Sequence, residues 1–151
     1  MHDNGHNPYK PIPMHVVRAY YESNDRSLKT LELTFDREKD QVEFFDKYNP
    51  GQFCQLSIFG KGEAPFGVAS AAWEGDFVRF TIQKLGTFTQ YAHTLQPGDP
   101  IGMRGPLGNG FPLANWKGKT LVIIGGGCAF STLYALTLSL IHLRRCRRYA
   151  V

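Results

Sequence analysis

Through its first hundred residues the chain alternates apolar and polar side chains in short runs, each closed by a turn signal. That period confines it to β-sheet. In residues 29–35, Leu31, Leu33 and Phe35 share one face while Glu32 and Thr34 share the other. Residues 77–85 repeat the pattern, with Val78, Phe80 and Ile82 inward. Further strands are predicted over 15–20, 52–59, 65–71 and 101–104. Turns are predicted at 23–26, 50–51 and 96–99, with a break at 61–63 and a hairpin at Glu74-Gly75-Asp76. The charged run Asp36-Arg37-Glu38-Lys39-Asp40 reads as a solvated loop, and residues 89–95 as a short helix capping an open end of the sheet. Many short strands with regular turns predict an all-β barrel or sandwich.

After Trp116-Lys117-Gly118-Lys119 the pattern changes. An apolar strand over 120–124 runs into Gly125-Gly126-Gly127 and then a helix over 130–143. Glycines at such a turn let backbone amides approach a phosphate at the positive end of the helix dipole. One strand and one helix do not make a doubly wound sheet. The expectation is therefore a barrel domain over 1–117 and the incomplete opening of a nucleotide-binding domain over 118–151. The helix is apolar nearly all round (Leu133, Leu136, Leu138, Leu140, Ile141, Leu143) and calls for burial on more than one side. That predicts a fragment, a truncated product or a chain that needs a partner.

The net charge of +4 is matched by Arg144, Arg145, Arg147 and Arg148 alone, so the body is close to neutral, which argues against nucleic acid as a partner. Those arginines read as the solvated end of a helix, where they complement its dipole. Cys54, Cys128 and Cys146 are odd in number and widely spaced, with neither a disulfide framework nor metal-ligand spacing. A reduced, cytoplasmic setting is expected, with no metal. Residues 1–6 carry no apolar segment of signal-peptide type. The stretch 129–143 is too short to span a bilayer and contains Ser131, Thr132, Ser139 and His142, so no membrane span is expected.

Four glycine- or proline-marked turns are candidate sites, and each admits a purely structural reading when taken alone. Ala64-Pro65-Phe66-Gly67 enters a strand, and Pro65 suits an edge. Gly86-Thr87-Phe88-Thr89 feeds a helix, where a threonine serves equally as an N-cap or an anion contact. Gly105-Pro106-Leu107-Gly108-Asn109-Gly110-Phe111 suits a barrel corner. Gly125-Gly126-Gly127 is a turn of a kind that also occurs without ligands.

Their order is more specific than any member. With Asn7-Pro8-Tyr9, Pro50-Gly51-Gln52-Phe53, Gly62-Glu63-Ala64-Pro65 and Gly105 to Phe111, the chain resembles the ferredoxin–NADP reductase superfamily. Within it, the likeness is to hydrogenase gamma subunits, the B subunit of anaerobic sulfite reductase and dihydroorotate dehydrogenase electron-transfer subunits. The resemblance implies a mainly β fold, a six-stranded antiparallel Greek-key FAD-binding barrel with one capping helix. A single β-α unit of a truncated Rossmann-like domain would follow.

It also implies cofactor contacts. Ala64, Pro65, Phe66 and Gly67 match the strand against the flavin ring, with Phe66 available to stack on it. Thr81, Ile82 and Gln83 match the segment along the ribityl chain, and Gly86, Thr87, Phe88 and Thr89 the diphosphate-binding helix start. Gly125, Gly126 and Gly127 match the opening of the NAD(P) turn. The chain departs from the pattern at Ala64 and Gly67, where the family usually has arginine and serine, and at Ala129 and Thr132, where it has glycine and proline. The implied function is an NAD(P)H–flavin oxidoreductase module. It would pass electrons to an iron–sulfur or hydrogenase/reductase subunit of an anaerobic complex, with NAD(P)H bound only alongside the rest of its domain. No iron–sulfur cluster is expected on this chain. The alternative is a non-catalytic barrel adaptor that has lost flavin.

Overall fold

The computed structural model describes residue 7 and residues 9–146, without the side chains of residues 129 and 142–146. The basic run at Arg144, Arg145, Arg147 and Arg148 and the first six residues therefore fall outside the described side chains.

Six strands form one antiparallel sheet: β1 (Ile12–Tyr21), β2 (Leu28–Phe35), β3 (Phe53–Ile58), β4 (Gly62–Gly67), β5 (Val78–Gln83) and β6 (Pro100–Leu107). Their order is β4-β3-β6-β1-β2-β5. The alternation read from sequence becomes the core. Met14 and Val16, Leu31, Leu33 and Phe35, Cys54 and Leu56, Val78, Phe80 and Ile82, and Ile101 and Met103 all point inward and are buried. Leu31 stands opposite Phe80, and Leu56 opposite Met103. The two edges are drawn together just past β4, where Ala69 N–H donates to Arg79 O of β5 at 2.8 Å. The predicted six-stranded antiparallel β fold is thus present.

Three local expectations change. The charged run does not stay a loop but begins a helix, α1 (Glu38–Lys47). Its acidic first turn and basic last turn suit the helix dipole. Phe44 anchors it in the core, stacked on Tyr48 with centroids 5.6 Å apart and tilted against Phe35. The Glu74–Asp76 hairpin does not form, because β4 pairs with β3 and the link to β5 turns through a short 3₁₀ segment, Ala72–Glu74. The Glu74 carboxylate accepts from Ala71 N–H at 2.6 Å to hold that turn. Residues 119–126 form no strand: no ladder partner stands beside them among the described residues, and Val122 and Ile124 are largely exposed. A strand needs a neighbour for its backbone groups, and an apolar run alone does not supply one.

Two further helices complete the fold. The helix after β5, α2 (Thr87–Ala92), starts two residues earlier than expected. The last, α3 (Ala129–Cys146), buries Ala135, Leu136 and Ser139 and leaves Phe130, Tyr134 and Ile141 exposed. No described helix is long and apolar enough to cross a membrane.

α2 is held at its C-terminal end by an unusual donor. Lys29 of β2 is 2% exposed, and its ammonium donates to the carbonyls of His93 (2.9 Å) and Leu95 (2.6 Å). These oxygens lie where a helix runs out of its own donors, and a buried cation there both caps and neutralises. Burial lowers the Lys29 pKa, opposed by the Asp99 carboxylate. Replacing Lys29 by Met keeps the aliphatic stem and strands two buried carbonyls. Lys29→Met is expected to lower unfolding stability by about 2–4 kcal/mol in urea titration.

Candidate functional site

β4 is a flat outer surface for reasons of sequence. Strand alternation puts Ala64 and Phe66 on one side and Pro65 and Gly67 on the other. Phe66 turns toward the core and stacks on Phe88 of α2, centroids 5.8 Å apart at 29°. The ring expected to cover a ligand therefore joins β4 to α2 instead, which leaves Pro65 and Gly67 as the outer surface. The strand is fixed from outside by Arg104 of β6, which donates to Glu63 at 2.5 Å, while Ser57 donates to the same carboxylate at 2.6 Å. These bonds, Arg104 first, hold the Glu63 carboxyl below its ordinary pKa. The pair thus contributes at neutral pH and is lost on acidification through the carboxylate range.

On β5, Ile82 is a core residue, and its carbonyl is bonded to His93 Nε2 at 2.9 Å. Thr81 and Gln83 alternate outward and are half-buried. The Thr81 hydroxyl lies 2.9 Å from that of Thr30, which donates to Glu22 at 2.7 Å. At the start of α2, the Thr89 hydroxyl accepts from Leu85 N–H and Gly86 N–H at 2.9 and 2.8 Å and donates to Gly86 O at 2.9 Å. Thr89 is thus committed to shaping the turn. The amides of Thr87, Phe88 and Thr89 are the ones that no earlier carbonyl of the helix can satisfy.

A groove of about 500 Å³ runs between the outer face of the barrel and the start of α3. Tyr20, Glu22, Leu28, Arg79 and Thr81 line one wall, and Gly127, Cys128, Phe130, Ser131 and Tyr134 the other. The structure therefore brings Thr81 together with Gly127, while Gly86 to Thr89 lie outside this groove. Beneath it sits Glu32, almost fully buried on an outward-facing position. Its carboxylate meets Arg79 at 3.3 Å and Arg18 at 3.5 Å and accepts from the Tyr20 hydroxyl at 3.3 Å. Arg79 also reaches Glu74 at 3.4 Å. Burial first, then the neighbouring carboxylates, raises the Tyr20 pKa against the pull of Arg79, so the phenol stays protonated.

Sequence reading missed Arg79 and Glu32. Their signal is strand register, since the two stand opposite one another in the β2–β5 ladder, and register is not visible in a single strand. Among the described residues no cluster of metal-ligating side chains occurs.

No family model matches the chain. Sulfhydrogenase 1 subunit gamma of Pyrococcus furiosus is 36% identical over 134 residues, covering 87% of this chain and 44% of that protein. A probable dihydroorotate dehydrogenase B (NAD(+)) electron transfer subunit of Thermococcus kodakarensis is 36% identical over 110 residues, covering 70% and 43%. Among solved structures, the ferredoxin–NADP+ reductase of Plasmodium falciparum superposes with a TM-score of 0.71 at 18% identity, over 92% of this chain and 54% of that one. The cytochrome P450 reductase GcoB of Amycolatopsis gives 0.73 at 20% identity, over 88% and 39%. The chain spans less than half the length of these curated relatives.

The two described thiols differ sharply. Cys54 is fully buried, and burial pushes its pKa up, whereas Cys128 is exposed at the groove. Brief treatment of the native protein with a maleimide is expected to modify Cys128 and spare Cys54 until denaturant is added, as read by peptide mapping.

Proposed function

We propose that the chain is a member of the ferredoxin–NADP reductase superfamily, akin to the hydrogenase gamma and dihydroorotate dehydrogenase electron-transfer subunits it resembles, and that its barrel binds FAD. The site would comprise the outer face of β4, the outward residues of β5 and the first turn of α2. The observation that carries this reading is the assembly of those three segments around one edge of the barrel. The Phe66–Phe88 stack ties β4 to α2, and the His93–Ile82 bond ties the end of α2 to β5.

The residues present fit a flavin in two respects. Pro65 and Gly67 offer a strand face without long side chains, which at Gly67 is met by the Thr132 hydroxyl of the last helix. The start of α2 supplies unsatisfied amides suited to a diphosphate. Gly86 approaches that turn in an extended conformation. Thr81 and Gln83 would hydrogen-bond the sugar-alcohol chain between ring and phosphate. With no arginine at Ala64, the amides carry the anion contact alone, and Lys84, exposed beside them, adds only a screened charge. Flavin, when bound, supplies the two-electron to one-electron exchange; the protein's part is to hold and orient it.

The module would pass electrons between NAD(P)H and an iron–sulfur subunit of a multi-subunit redox complex. Nicotinamide binding would begin at Gly125, Gly126 and Gly127 and draw on a complete α/β domain. The second reading, an adaptor barrel without flavin, is favoured by the absence of arginine at Ala64 and by the engagement of Thr89 with its own turn.

The two readings separate on FAD uptake by the chain, and one variant tests where the FAD sits. Thr87 occupies the first helical position, where proline is well tolerated but removes an amide N–H. Thr87→Pro is expected to keep the melting temperature and weaken FAD binding by roughly tenfold or more, as for loss of one charge-assisted hydrogen bond. The wild-type chain is expected to take up FAD with visible flavin absorbance. A chain that takes up none supports the adaptor.

A further inference from the structure

Thr132, on the first turns of α3, faces β4 with its hydroxyl. A methyl group built on Gly67 would collide with Thr132 Oγ1, whereas Cβ and Cγ2 of Thr132 lie farther off, at 3.6 and 3.7 Å. The hydroxyl is therefore the atom nearest the strand, and glycine at residue 67 is what leaves it room.

That hydroxyl has no partner among the described residues, in contrast to its neighbours on the same helix. Ser131 donates to Cys128 O at 2.8 Å, Thr137 to Leu133 O at 2.9 Å and Ser139 to Ala135 O at 2.8 Å. A helical threonine ordinarily bonds the carbonyl three or four residues back. For Thr132 the carbonyl four residues back is that of Cys128, already taken by the amide and the hydroxyl of Ser131. The Thr132 hydroxyl is thus half-buried, turned away from its own backbone and aimed at the outer face of β4.

We propose that Thr132 is a binding residue of the β4 face, its hydroxyl, held in front of Gly67, hydrogen-bonding the polar edge of a flavin ring seated against Pro65. The hydroxyl both donates and accepts, so it suits either a ring nitrogen or a carbonyl. Gly67 and Thr132 then act as one unit: the strand gives up a side chain, and the helix reaches into the space with a polar atom. The inference rests on the flavin reading above and adds α3 to a site otherwise built from the barrel.

Thr132→Val preserves shape and removes the hydroxyl, while Thr132→Ser keeps it. In the 151-residue chain, Thr132→Val is expected to weaken FAD binding about three- to tenfold and to change the visible spectrum of the bound flavin. Thr132→Ser should stay within about twofold of wild type and keep its spectrum. Gly67→Ala, which pushes the hydroxyl aside while leaving Thr132 in place, should weaken binding as Thr132→Val does, and it carries the test if Thr132→Val fails to fold. Wild-type affinity and spectrum in Thr132→Val would overturn the inference. So would equal weakening by the valine and serine variants, which would make the contact one of packing. A wild-type chain that binds no FAD at all overturns the flavin reading itself, a result distinct from FAD binding that is indifferent to residue 132.

Discussion

The ammonium of Lys29, buried inside a β-barrel, fixes the geometry on which the rest of the molecule depends. An uncompensated buried charge is costly, and here two main-chain oxygens at the end of α2 compensate it. The consequence is positional. With the C-terminal end of α2 bound to β2, and His93 bound through Nε2 to β5, the start of α2 is brought beside β4, where Phe88 meets Phe66. The helix is only six residues long and would not persist alone, so this tertiary clamp decides where its first amides are presented.

A second constraint acts from the other side. β4 is short, with a proline and glycines, and it pairs only with β3 among the described residues, yet α2 packs on it through Phe88 and α3 meets it through Thr132. Glu63–Arg104 and Ser57 hold one end of it, and Ala69–Arg79 holds the chain just beyond the other. Arg79 in turn is pinned by Glu32 and Glu74, so the polar network beneath the groove also keeps the two sheet edges together. The same residues thus close the barrel and shape a candidate binding face.

Much of the barrel was legible because burial on one face imposes a period of two. Leu31, Leu33 and Phe35, like Val78, Phe80 and Ile82, announce their direction without any knowledge of their neighbours. What stayed hidden depends on neighbours. The helix from Glu38 begins with charges that suit a loop equally well, and only Phe44 and Phe45 reveal a core-facing side. Residues 120–124 have the composition of a strand, but a strand exists only in a ladder. Lys29 falls in phase with Leu31, Leu33 and Phe35 on the inward face, and what lets a lysine stay there is the pair of carbonyls at the end of α2, which its own run does not reveal. In the candidate site, the segments stand out by motif, but what Phe66, Thr89 and Thr132 do follows from what each touches. Phe66 is engaged by Phe88, Thr89 by its own turn, and Thr132 has been left free by Ser131.

The central claim is a location: a flavin held on β4, β5 and the start of α2. Mapping of backbone amide chemical shifts by NMR as FAD is added tests it most directly. The account predicts saturating shifts at Phe66, Gly67, Thr81, Gln83, Thr87, Phe88 and Thr89, with Val42 on α1 and Phe59 at the β3–β4 turn unmoved. Shifts that cluster away from β4 and α2, or none at all, would contradict it.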